Sequence, residues 1–82
     1  LQNYPNPFNP VTVIKYSLPE KTFVRLTVFD MLGREVKNLV SEVQSQGVYS
    51  TTMDGSSLPT GIYFYRIQTD KYTSTRKMML IK

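Results

Sequence analysis

The chain has 82 residues, 40% of them hydrophobic, which is enough for one small core and not for two. It contains no histidine, cysteine or tryptophan, so a Ser-His-Asp triad, a thiol nucleophile, a thiolate zinc site and a disulfide are all excluded. Ten Lys and Arg against six Asp and Glu give a net charge of +4, which suits an acidic partner but falls well short of a basic nucleic-acid arm, so no nucleic-acid partner is expected.

Three prolines in the first ten residues, Pro5, Pro7 and Pro10, two of them preceded by Asn, forbid a helix and favour extended or turn backbone. This segment reads as a lead-in. Val11 to Leu18 then alternates, with Thr12, Ile14, Tyr16 and Leu18 on one side, and reads as a strand stopped by Pro19. Thr22 to Asp30 alternates again, with Val24, Leu26 and Val28 on one face and Phe23, Arg25, Thr27 and Phe29 on the other.

Asp30-Met31-Leu32-Gly33 has the Asp and Gly placement of a type I turn and predicts a hairpin to a third strand over Arg34 to Val40. Val36, Leu39, Val40 and Val43 also fit helical spacing, so a short helix over Arg34 to Gln46 competes there, although it lacks a clear N-cap. Gly47 breaks that pattern. Val48 to Met53 reads as a strand ending in the turn dipeptide Asp54-Gly55, and Gly61 opens another at Ile62 to Thr69. After Asp70-Lys71, Tyr72 to Lys82 alternates to the last residue.

Strands at this even spacing predict an all-β, immunoglobulin-like antiparallel sandwich of about seven strands, with Ile14, Leu26, Val28, Tyr65 and Ile67 in the core. Leu58-Pro59-Thr60-Gly61-Ile62-Tyr63 reads as a tyrosine corner, in which the Tyr63 hydroxyl returns to upstream backbone. The longest apolar runs, such as Met78-Met79-Leu80-Ile81, are far shorter than the roughly 20 residues that span a bilayer, so no transmembrane segment is expected. Residue 1 is Leu and no signal-peptide pattern follows it. The chain therefore reads as an excised domain whose export signal, if it has one, lies elsewhere.

Few residues offer chemistry. Asp30 and Asp54 both sit in turn signatures, where a carboxylate bonds backbone two residues on, and Asp54-Gly55-Ser56-Ser57 lacks the alternate ligands and closing Glu of a calcium loop. The serines have no histidine to activate them and no telling serine-lysine spacing, so neither a catalytic residue, a metal site nor a cofactor is expected. Of the six tyrosines, Tyr49 and Tyr72 are left as exposed stacking platforms for sugar rings. Arg66, Lys71, Arg76, Lys77 and Lys82 concentrate positive charge late in the chain, and a charged final strand is a shape that a receptor grips by strand addition.

The ordered set of motifs resembles the type A C-terminal sorting domain of proteins exported by the type IX secretion system of Bacteroidetes and related bacteria. The resemblance runs from Asn3-Tyr4-Pro5-Asn6-Pro7-Phe8-Asn9-Pro10 and Leu18-Pro19 through Val28-Phe29-Asp30-Met31-Leu32-Gly33-Arg34-Glu35-Val36. It continues in Gly47, Asp54-Gly55, Leu58-Pro59-Thr60-Gly61-Ile62-Tyr63-Phe64-Tyr65-Arg66 and Lys77-Met78-Met79-Leu80-Ile81-Lys82, and so covers the whole chain. Met53 stands where members typically carry Trp, and Met can fill the same pocket.

The resemblance implies an address and no activity. An N-terminal cargo domain in the same protein would cross into the periplasm on its own signal peptide. The outer-membrane machinery would recognise the C-terminal domain and pass the cargo to the cell surface or the extracellular space, and a sortase-like signal peptidase would remove the domain near the Pro-rich lead-in. The recognition residues implied are Gly61 and Tyr63, with Lys77, Met78, Met79, Leu80, Ile81 and Lys82. The other reading of the residues is an accessory β-sandwich module of a secreted enzyme, binding carbohydrate or packing on the enzyme domain.

Overall fold

The computed structural model describes all 82 residues, and every regular element in it is a strand. In chain order these are β1 (Gln2–Tyr4), β2 (Val11–Leu18), β3 (Thr22–Phe29), β4 (Glu35–Gln44), β5 (Gly47–Asp54), β6 (Gly61–Gln68) and β7 (Thr73–Leu80). They form two antiparallel sheets, ordered β1-β2-β5 and β4-β3-β6-β7, so the expected seven-strand sandwich is what the chain forms. No helix is long and apolar enough to cross a membrane.

Period-two alternation decides which side chains enter the core, because successive residues of a strand point to opposite faces. Ile14, Tyr16 and Leu18 of β2, Val24, Leu26 and Val28 of β3, and Tyr63, Tyr65 and Ile67 of β6 are all buried. Met53, Met78, Leu80 and Phe8 complete a cluster of 13 residues. Removing an aliphatic or aromatic side chain of this size from water contributes about 1.5–3 kcal/mol. All five residues expected in the core are there, and Met53 is fully enclosed.

The competing helix at Arg34 to Gln46 does not form. β4 instead runs four residues past the expected end at Val40, and its pairing with β3 shifts between Leu26 and Thr27 and again between Val28 and Phe29. Each irregularity adds one residue to β4, so Val36 and Leu39 fall three apart while both pack against the core. A bulged strand thereby imitates the spacing of a helix. The last strand is shorter than the alternation predicts. Tyr72 is held in the preceding turn, where Thr69 N–H donates to its carbonyl at 2.8 Å, and β7 ends at Leu80.

The Pro-rich start does more than lead in. Residues 2–4 form an edge strand on β2, pairing Gln2 with Lys15 and Tyr4 with Val13, and Phe8 is 2% exposed in the core. Asn3 is buried with partners on three sides: its Nδ2 donates to Thr12 Oγ1 at 3.2 Å and to the Pro5 carbonyl at 3.3 Å, and its Oδ1 accepts the Tyr65 hydroxyl at 3.1 Å. This network ties β1 and β2 of one sheet to β6 of the other.

Candidate functional site

β6 and β7 pair over eight residues in an unbroken register, and that register joins the two blocks of residues implied for recognition. Gly61 lies opposite Leu80, Ile62 opposite Met79, Tyr63 opposite Met78 and Phe64 opposite Lys77. Residues 13 to 19 positions apart in sequence thus share one corner of the four-stranded sheet. Alternation then divides them by face: Tyr63, Met78 and Leu80 point inward and are buried, whereas Lys77, Met79, Ile81 and Lys82 are exposed. Met78 and Leu80 are therefore core residues, with no surface for a partner to touch.

Tyr63 supports the corner from inside. Its hydroxyl donates to the Pro59 carbonyl at 2.6 Å, four residues upstream, which is the expected tyrosine corner. Burial pushes its phenol pKa up, and the Asp30 carboxylate adds to the shift. Gly61, next to it, has open space: a Cβ added there would meet no atom within 4 Å. Ile62 lines two shallow grooves on either side. One, of about 240 Å³, is bounded by Asn6, Pro7, Lys77, Met78 and Met79. The other, of about 230 Å³, includes Met31, Leu32 and Gly61.

β7 is the last strand of its sheet, and its outer edge is partly occupied by the chain's own beginning. Phe8 N–H donates to the Met79 carbonyl and Ile81 N–H donates to the Phe8 carbonyl, both at 2.9 Å, forming a short parallel bridge. Asn6 continues the cover with its side chain. Its Oδ1 accepts from Met79 N–H at 3.1 Å and its Nδ2 donates to the Lys77 carbonyl at 3.4 Å. Strand addition at the C-terminal edge is thus already satisfied from Lys77 to Ile81, and the stretch left open there begins N-terminal to it.

Both lysines of the corner lack an acidic partner; the two ion pairs of the molecule join Arg34 to Asp30 and Lys71 to Glu20. Lys82 is placed by backbone, its Nζ donating to the Ser56 carbonyl at 2.7 Å and its N–H donating to Thr60 Oγ1 at 3.1 Å. The side chain of Lys77 is exposed on the outer face.

The remaining candidates have structural duties. Asp30 Oδ1 accepts from the backbone N–H of Leu32 and of Arg34, and Gly33 closes the turn at φ +80°, a left-handed conformation that favours glycine. The Arg34 N–H, followed by its guanidinium, holds the Asp30 carboxyl below the usual range. Asp54 caps its own turn by accepting from the hydroxyl and the N–H of Ser56, which lower its pKa in that order. Tyr49 is not a free platform. It is half-buried, stacked on Tyr16 at 5.4 Å between ring centroids, and its hydroxyl donates to the Ser45 carbonyl. Tyr72 remains exposed.

Asn6 and Phe8 are the residues at this corner that sequence reading assigned no contact. Phe8 is a lone large apolar side chain in a segment of Pro and Asn, and that isolation was the available signal. No curated protein and no solved structure matches the chain. The family model described as the secretion system C-terminal sorting domain does match it over residues 2–82, from the edge strand to the final lysine. The chain therefore belongs to the C-terminal sorting domain family of the type IX secretion system, and the corner joining its Gly-x-Tyr block to its C-terminal residues lies within that match.

Proposed function

We propose that the domain is a noncatalytic sorting signal read at the β6–β7 corner, with Gly61, Lys77, Met79, Ile81 and Lys82 forming the contact surface and Tyr63, Met78 and Leu80 holding it in shape. The observation that carries this reading is the register, which sets Gly61 and Ile62 beside Leu80 and Met79 on a strand that bears Lys77 and is followed by Lys82, neither with an acidic partner. An N-terminal cargo domain is carried with it to the cell surface or the extracellular space. A sortase-like signal peptidase then cuts on the N-terminal side of the domain, and the cargo is released or attached at the surface.

A charged, partly apolar rim supports this function physically. Rim charges steer encounter and fix orientation, while exposed aliphatic groups supply the area that holds a complex. The test is a reporter placed behind a signal peptide and in front of this domain, in a host with the type IX machinery. The intact fusion is expected outside the cell. Deleting residues 77–82 would also remove Met78 and Leu80 from the core, so loss of export by that route would not distinguish recognition from folding. The triple variant Lys77→Gln, Met79→Ser, Lys82→Gln changes exposed side chains, and each is expected to alter stability by less than about 0.5 kcal/mol. Its fusion is expected to stay in the periplasm, while a Lys15→Gln control is exported. Undiminished export of the folded triple variant would overturn the assignment of these residues.

A further inference from the structure

Two open sheets leave four edge strands, β1 and β5 on one and β4 and β7 on the other. An edge presents unpaired N–H and C=O groups and is ordinarily guarded by charge, proline, a bulge, brevity or a covering segment. Three of these edges are guarded. β1 has three residues and runs into Pro5. β4 carries Glu35, Lys37 and Glu42 and is broken by two register shifts. β7 carries Arg76 and Lys77 and is clasped by Asn6 and Phe8.

β5 has a charge only at its last residue, Asp54, and none of the other devices. Its residues Gly47-Val48-Tyr49-Ser50-Thr51-Thr52-Met53 contain no charge and no proline, and its pairing with β2 runs from Val11–Asp54 to Leu18–Gly47 without a shift. No backbone or side-chain hydrogen bond reaches the side of the strand away from β2. Val48, on its outward face, is 80% exposed. Val, Tyr and Thr are strong strand formers, so the edge is both open and well disposed to pair.

We infer that β5 pairs with β5 of a second copy of this chain, antiparallel about a two-fold axis, extending β1-β2-β5 into one continuous six-stranded sheet. The sequence of the strand suits its own reverse. Centred on Ser50, Val48 faces Thr52 and Asp54 faces Gln46; centred on Thr51, Tyr49 faces Met53 and Asp54 faces Val48. In neither register does a charge meet a like charge, and in the first Val48 faces Thr52 and Tyr49 faces Thr51, β-branched and aromatic residues in the favourable kind of cross-strand pair. A second copy satisfies the edge groups of both chains at once. A ladder of one strand pair buries less than the ~1,200 Å² of a standard interface, so the association is weak and concentration-dependent. The inference does not depend on the sorting function.

The experiment uses the 82-residue chain itself. Sedimentation velocity across a concentration series should show a monomer passing into a dimer, and Ser50→Lys, which sets two ammonium groups near the axis, should shift the series back to monomer. Ser50 is exposed, so the variant should keep its circular dichroism spectrum; Thr52→Lys is the replacement if it does not. Because the chain has no cysteine, single-cysteine variants give a clean map. On mild oxidation Ser50→Cys should cross-link several-fold faster than Ser41→Cys on β4 or Thr75→Cys on β7. A chain that stays monomeric throughout, a dimer undiminished by the lysine variant, or equal cross-linking at the three edges would each overturn the inference.

Discussion

Tyr63 and Thr27 are both buried hydroxyl residues, and their hydroxyls differ in sign as contributions to stability. That of Tyr63 donates to the Pro59 carbonyl at 2.6 Å. That of Thr27 has no hydrogen-bond partner, although the residue lies on the face that alternation assigns to solvent. It is enclosed on β3, flanked by Phe29, whose ring holds the Arg66 guanidinium 4.7 Å from its centre, and Arg66 pairs with Thr27 across the strands. An unpartnered buried polar group keeps its desolvation cost, whereas a paired one returns a net gain of about 1 kcal/mol. Tyr63→Phe should therefore destabilise by about 1 kcal/mol and Thr27→Val, which keeps the shape, should stabilise by a similar amount. Urea midpoints of the two variants decide it, and a fall in the Thr27→Val midpoint would reject the account given for that hydroxyl.

Among the elements, the Pro-rich segment is the one whose role depends most on its neighbours. Pro10 accepts from Gly55 N–H at 2.8 Å, so the segment reaches from the end of β5 in one sheet to β7 in the other. Gly55 is needed there for closeness and not for an unusual φ: a Cβ would lie 3.0 Å from Leu80 Cδ2, 3.3 Å from Phe8 Cε2 and 3.3 Å from the Pro10 carbonyl oxygen. Leu80 and Phe8 are enclosed and the third neighbour is backbone, so none of them yields cheaply. Gly55→Ala is expected to cost about 1–3 kcal/mol, as overpacking does in a close-packed interior. Amide hydrogen exchange should show the loss locally, with Met79 and Ile81 N–H, the groups held by Asn6 and Phe8, exchanging faster than in the parent. Unchanged protection at those two amides would separate Gly55 from the clasp.

For the molecule as a whole, titration sets a stability plateau with two shoulders. Asp30 and Asp54 have pKa values lowered in the fold by hydrogen bonds from Arg34 and Ser56 respectively. Their contribution is present above the ordinary value of 3.8 and is lost as pH falls through the lowered values. Tyr16, Tyr63 and Tyr65 have pKa values raised, first of all by burial, since the fold favours the neutral phenol. Their contribution is present below 10.0 and is lost as pH rises through the raised values. The chain has no histidine, the side chain whose ordinary pKa falls near neutral pH. Melting temperatures should be level across neutral pH and fall at both ends. A step near pH ~6.5, where histidine would titrate, is the outcome that contradicts this.

Much of this was legible in the chain alone, because each reading rested on neighbours in sequence. The period-two pattern gave β2, β3 and β6 and their buried faces, the Asp30 and Asp54 turns followed from carboxylates bonding backbone two residues on, and Tyr63 found its carbonyl four residues away. What the chain could not show is what arrives from a distance. The bulges of β4 depend on pairing with β3, the burial of Met78 and Leu80 in place of Met79 and Ile81 depends on the register with β6, and Thr27 is enclosed by residues of another strand. The clasp of Asn6 and Phe8 joins positions more than seventy residues apart, and only chain closure decides such a contact. Local preference acts through a few bonds of backbone. Edge, cover and corner are properties of the assembled sheets, which is why the tertiary structure had to decide them.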